Sequence, residues 1–144
     1  MAKKKVFVSF DYEKDKCYKF LLKAWDANPD FEFSFSDKSS EEINTDDISR
    51  VKAGLTTKIN QATYTLVIVG EDANKRHHDY EKIGYRNWQN FEIARSIENG
   101  NKLVGVKINS KYPAPEEMLG KGATWALTFT QDAIIQALKD AAKK

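Results

Sequence analysis

The stretch "TYTLVIVG", residues 63–70, is the most apolar run in the chain, and it constrains the fold more than any other segment. Its β-branched residues favour a strand. Leu66, Val67, Ile68 and Val69 follow one another without polar alternation, so both faces of that strand must be covered. Helices on both sides of a largely parallel sheet supply that cover, and the remaining sequence provides them by alternating strand-like and helix-like segments.

"KVFVSF", residues 5–10, is a second short β-branched and aromatic run, which suits a central strand. From Asp15 onward, Tyr18, Leu21, Leu22 and Trp25 recur at helical spacing and predict a helix over about residues 12–27, ending before Asn28-Pro29. "FEFSF" alternates Phe31, Phe33 and Phe35, the period of a half-buried strand near a sheet edge. After a polar loop, Ile48, Val51, Leu55 and Ile59 mark a second helix, with Thr45 or Asp46 as its N-cap. A charged, structureless stretch runs from Gly70 to Tyr85, long enough to be either functional or mobile.

"RNWQNFEIARSIENGNK", residues 86–102, reads as a third helix closed by Asn99-Gly100. "KLVGVKI" and "TWALTF" then predict two further strands, separated by a Pro- and Gly-rich loop with room for one short turn. Thr130 caps a last helix whose stripe is Ile134, Ala137, Leu138 and Ala141. The reading is one α/β domain over residues 1–144, with a five-stranded, mainly parallel sheet between two helical layers. The crossovers are right-handed. With strand order 2-1-3-4-5, the ligand crevice opens beyond the carboxyl ends of the first and third strands.

Charge excludes some partners. The 23 Lys and Arg nearly cancel 21 Asp and Glu, leaving +2, and no clustered basic face for nucleic acid is evident. No apolar stretch reaches the ~18 residues of a membrane span, and the single Cys17 fits a reducing compartment, so a cytoplasmic protein is expected. Cys17 itself reads as a buried structural thiol, and "HHDYE", residues 77–81, as solvated rather than metal-binding. Neither a dinucleotide fingerprint nor a P-loop follows the first strand, and Ser9 lacks the flanking glycines of a hydrolase elbow.

On a helical wheel of the third helix, Ile93, Ala94 and Ile97 share one side, while Trp88, Glu92 and Asn99 lie nearly opposite. Glu92 is thus expected off the core face. It would either pair with Arg95 in solvent or, because the helix begins at the crevice, turn with Trp88 toward a ligand. In the second case the indole would stack on a flat ring and the carboxylate would meet a sugar hydroxyl or a developing cation.

"KKVFVSFDYEKD", "TYTLVIVG" and the Trp88-x-x-x-Glu92 element together resemble the TIR domain pattern, and "RNWQNFEIARSIENGNKLVGVKIN" looks like the bacterial TIR-like proteins of Thoeris anti-phage systems. The resemblance implies a flavodoxin-like sheet and, in enzymatic members, cleavage of the nicotinamide–ribose bond of NAD, which is substrate rather than cofactor. The product would be ADP-ribose or a cyclic isomer that signals to a separate effector protein. By motif position the catalytic glutamate falls on Glu92. Ser9, Phe10 and Asp11 fall on the pocket wall, and Asp37 on the loop that closes over the substrate. A phage-derived trigger and a homo-oligomer are the further partners the family brings; no metal is implied. The family also holds adaptors that assemble without catalysis, so a non-enzymatic interaction module is the alternative.

Overall fold

A computed structural model describes residues 4–28, 31–35 and 47–144, apart from the side chains of residues 12 and 13. Strand β1 (Lys4–Ser9) leads into α1 (Tyr12–Asp26), followed by β2 (Phe33–Phe35), α2 (Ile48–Asn60) and β3 (Tyr64–Val69). A short α3 (Tyr80–Ile83) precedes α4 (Trp88–Glu98) and β4 (Lys102–Lys107); a 3-10 turn (Glu116–Met118), β5 (Thr124–Ala126) and α5 (Gln131–Ala142) complete the order. Among the described residues the strands form one sheet in the order β2-β1-β3-β4-β5, every pairing parallel. This is the three-layer, flavodoxin-like arrangement expected.

β3 is buried at all of its six positions, as its unbroken apolar sequence requires. Its side chains feed both layers. Leu66 and Ile68 join Val6, Val8 and Phe10 of the first strand region against Leu22 of α1 and Ile134 and Leu138 of α5. Val67 and Val69 pack on the other side with Ile93 of α4, while Phe7 meets Val51, Leu55 and Ile59 of α2. Period-two alternation therefore sends Phe7 to the α2/α4 layer and its neighbours Val6 and Val8 to the α1/α5 layer.

Several local expectations need correction. The N-cap of α2 is Asp47, whose Oδ1 accepts from the backbone amides of Ser49 at 2.9 Å and Arg50 at 3.4 Å. Because the helix begins at Ile48, Asp47 is the side chain that reaches those first amides, whereas Thr45 and Asp46 lie outside the described residues. The Gly70–Tyr85 connection is not structureless, since it carries α3, closed by Gly84 at φ +85°. On α1, Leu21 and Cys17 are exposed rather than buried. The helix turns Tyr18, Leu22 and Trp25 toward the core instead, leaving Cys17 and Leu21 on the outer side. By contrast, Thr130 caps α5 as expected, accepting from the Ala133 amide at 3.2 Å. Gly100 likewise takes the left-handed position after α4, at φ +78°.

No helix among the described residues is long and apolar enough to cross a membrane.

Candidate functional site

α4 begins where the carboxyl ends of β1 and β3 lie side by side, with Ser9 opposite Val67 in the strand register. Its start is set by Asn87, whose Oδ1 accepts from the Asn90 backbone amide at 2.9 Å. The same Asn87 side chain donates to the carbonyls of Ala73 and Lys75, each at 2.9 Å, tying the incoming loop to the helix. Asn90 extends the brace by donating to Asn74 Oδ1 at 3.2 Å and accepting from the Glu117 amide at 3.0 Å. The two Asn carboxamides of "NWQN" thereby brace the start of the helix.

The face that α4 turns to the sheet is mixed: Ile93 lies inward as the wheel has it, but polar side chains share that side. Gln89, Glu92 and Ser96 are buried together with Ile93, whereas Ile97 is 37% exposed. Each polar group has a partner that makes this burial affordable. Ser9 Oγ donates to Glu92 Oε1 over 2.7 Å, with Ser9 fully buried and Glu92 3% exposed. Gln89 Nε2 donates to the carbonyls of Ile68 at 3.1 Å and Ser9 at 3.3 Å. Ser96 Oγ accepts from Thr65 Oγ1 at 2.7 Å and donates to the Glu92 carbonyl at 2.8 Å. Glu92 does not pair with Arg95, which forms its ion pair with Glu98.

Of the expected pocket residues, the fold joins Ser9 and Glu92 directly. Phe10 points away from them. It is 6% exposed in the α1/α5 layer beneath the Lys19 ammonium, which sits 5.8 Å from its ring centroid. Adjacent positions at a strand end face opposite sides, so a serine that meets α4 forces the next side chain to the other layer. Asp11 follows at the start of α1, half-buried, and its carbonyl accepts from the Asp15 amide at 2.7 Å. Asp37 lies outside the described residues.

Trp88 is half-buried. Its ring meets Phe91 edge-on, with centroids 5.6 Å apart, and it joins the cluster of Phe7, Leu55 and Ile83. The indole thus closes one flank of the α2/α4 layer. Beside it, His77 and His78 stack at 4.2 Å, and with Asp79 they hold donor atoms within 4.8 Å of one another. A separate open groove of about 570 Å³ runs between α3 and the 3-10 turn, lined by Arg76, Tyr80, Tyr85, Arg86, Glu116 and Glu117, and touches neither Ser9 nor Glu92.

Sequence reasoning overlooked Asp15. Its side chain rests on Gly70, just past β3, where a Cβ would fall 1.9 Å from Asp15 Oδ2. That oxygen is sealed from solvent without a hydrogen-bond partner. Burial, then repulsion from Asp11 and Asp72, raises the Asp15 pKa from 3.8 to about 6; the nearby Lys14 ammonium opposes the rise. Lys14 bridges Asp72 at 3.0 Å and Glu71 at 3.3 Å, and these carboxylates raise its own pKa. Gln89 was also missed, because apolar periodicity assigns no role to a carboxamide.

Comparison with known proteins agrees with this architecture. A structure titled "Crystal Structure of a prokaryotic SEFIR domain" is similar at TM-score 0.55 and 15% identity, covering 98% of this chain and 97% of that one, a likeness of fold. A protein of Bacillus cereus (strain MSX-D12) named "Putative cyclic ADP-D-ribose synthase ThsB1" is 32% identical over 72 residues. That match takes in 43% of this chain and only 32% of the relative's length. The family model "Thoeris protein ThsB, TIR-like domain" matches residues 7–112, which contain Ser9, Gln89 and Glu92. The chain therefore belongs to the TIR-like domain family of the Thoeris protein ThsB.

Proposed function

We propose that this chain cleaves the nicotinamide–ribose bond of NAD in anti-phage defence and makes ADP-ribose or a cyclic isomer that activates a separate effector. One observation carries the reading: the Glu92 carboxyl is held by Ser9 at 2.7 Å at the strand ends where α/β sheets bind ligands. The name of the Bacillus cereus relative, a cyclic ADP-D-ribose synthase, supports the same chemistry.

In the proposed reaction the C1′–N bond breaks and its electron pair moves to the pyridinium nitrogen. Nicotinamide leaves neutral, so no general acid is required, and positive charge builds on the ribose. The Glu92 carboxylate, aimed by Ser9, stabilises that charge electrostatically. Water then attacks C1′ and loses a proton to give ADP-ribose; an internal nucleophile of the adenosine part gives a cyclic product instead. Exclusion of water selects between them.

The test is incubation of the purified chain with NAD, alone and with lysate of phage-infected cells, followed by mass spectrometry. Release of nicotinamide with an ADP-ribose product, lost in Glu92→Gln, supports the proposal. Intact NAD in every condition refutes it.

A second reading has its own observation. Phe20 and Leu21 are 59% and 48% exposed on α1, beside exposed Cys17 and Ala24 at helical spacing. Such an apolar stripe suits an assembly module that does no chemistry. Light scattering at rising concentration separates the readings: assembly without NAD turnover favours this one, and an active monomer excludes it.

A further inference from the structure

The Gln89 carboxamide is held in one orientation. Its Nε2 donates to two backbone carbonyls, Ile68 at 3.1 Å and Ser9 at 3.3 Å, and since both are acceptors only the amide nitrogen can face them. The oxygen is thereby turned away from the strands. Gln89 Oε1 accepts no hydrogen bond from the described residues.

Gln89 and Glu92 are three residues apart on one face of α4, about 4.5 Å along the axis, the scale of a pyridinium ring. A bridge between two strands needs only the nitrogen. The fixed, unused acceptor is an additional feature, and its complement is a ligand donor one ring away from the group that meets Glu92.

We propose that Gln89 Oε1 accepts a hydrogen bond from the carboxamide N–H of the substrate's nicotinamide and so selects amide-bearing pyridinium nucleotides over their carboxylic acid counterparts. The inference deepens the proposed NAD cleavage and rests on it for the identity of the substrate. Gln89 is assigned a positioning and specificity role; it makes and breaks no bond. A carboxylate on the ring would offer no donor and would set negative charge against the glutamine oxygen, and a site built for a hydrogen bond discriminates strongly against an analogue without the donor.

Two measurements on the full chain test this. The first compares kcat/KM for NAD and for nicotinic acid adenine dinucleotide. Wild type is expected to prefer the amide by about 100-fold or more, and Gln89→Met, similar in length but without the amide, to bring the preference below about 10-fold. The second uses thermal shift with nicotinamide mononucleotide and nicotinic acid mononucleotide, which needs no turnover and, for wild type, no folded variant. The amide form is expected to half-saturate at a concentration at least about 10-fold lower.

NAD cleavage with equal rates for amide and acid overturns the Gln89 role and leaves the proposed activity standing. Amide-selective binding without cleavage in any condition upholds the Gln89 role and overturns the activity. Equal binding without cleavage overturns both. A Gln89→Met protein that folds and retains the full preference also overturns the Gln89 role.

Discussion

Ser9 Oγ lies 2.7 Å from Glu92 Oε1, joining the end of β1 to the middle of α4 across the sheet-facing side of the helix. Hydrogen bonds to ionisable groups contribute about 1.5–3 kcal/mol. Ser9→Ala is therefore expected to destabilise the fold by about 2 kcal/mol, read as a lower urea midpoint with an unchanged m-value. A midpoint equal to wild type would mean that the pair contributes nothing to folding.

Asn87 does two jobs at the start of α4, accepting from the Asn90 amide and donating to the Ala73 and Lys75 carbonyls. Asn87→Asp keeps the cap acceptor but sets oxygen against both carbonyls. It should cost at least as much as Asn87→Ala, about 2–4 kcal/mol. A stable Asp variant would show that capping alone matters.

Gly70 lacks a side chain because the Asp15 carboxylate occupies its space, 1.9 Å from where a Cβ would stand. Gly70→Ala is expected to destabilise by about 1–3 kcal/mol. In the double variant with Asp15→Ala the obstruction is gone, so the two changes should cost less together than the sum of each alone. Additive costs in urea titrations would contradict this contact.

Asp15 also gives stability a pH dependence of defined sign. Its folded pKa is about 6 against 3.8 for the free group, raised first by burial and then by Asp11 and Asp72. The folded state holds the proton more tightly, so it is favoured at low pH; that advantage fades as pH rises from about 4 to about 6 and is absent above. Asp15→Asn, permanently neutral, should be more stable than wild type above pH 6 by on the order of 2 kcal/mol relative to the difference at pH 4. A difference independent of pH would refute the raised pKa.

How much of this was legible in the sequence follows from what periodicity can detect. Strands such as Tyr64–Val69 and the last helix, capped by Thr130, were readable because apolar spacing and a cap residue report the elements directly. The candidate residues Ser9 and Glu92 were reached through motif position, whereas the orientation of α4 was misread in part. The wheel placed Ile93, Ala94 and Ile97 inward on the premise that apolar residues face the core. Ile93 does face the sheet, but Ile97 is exposed, and Gln89, Glu92 and Ser96 share the inward side, each satisfied by Ser9, Ile68 or Thr65. Those partners are distant in sequence, and no local pattern announces them. The same reason hid Asp15 on α1, whose side chain rests on Gly70, just past β3 and distant in sequence.

The central claim is that Glu92 acts on substrate and does not merely fill space behind Ser9. Glu92→Gln retains the size and the capacity to accept from Ser9 Oγ but loses the charge. Nicotinamide release from NAD should fall about 100- to 1000-fold while the melting temperature stays near that of wild type. Nicotinamide released by Glu92→Gln at the wild-type rate would contradict the account.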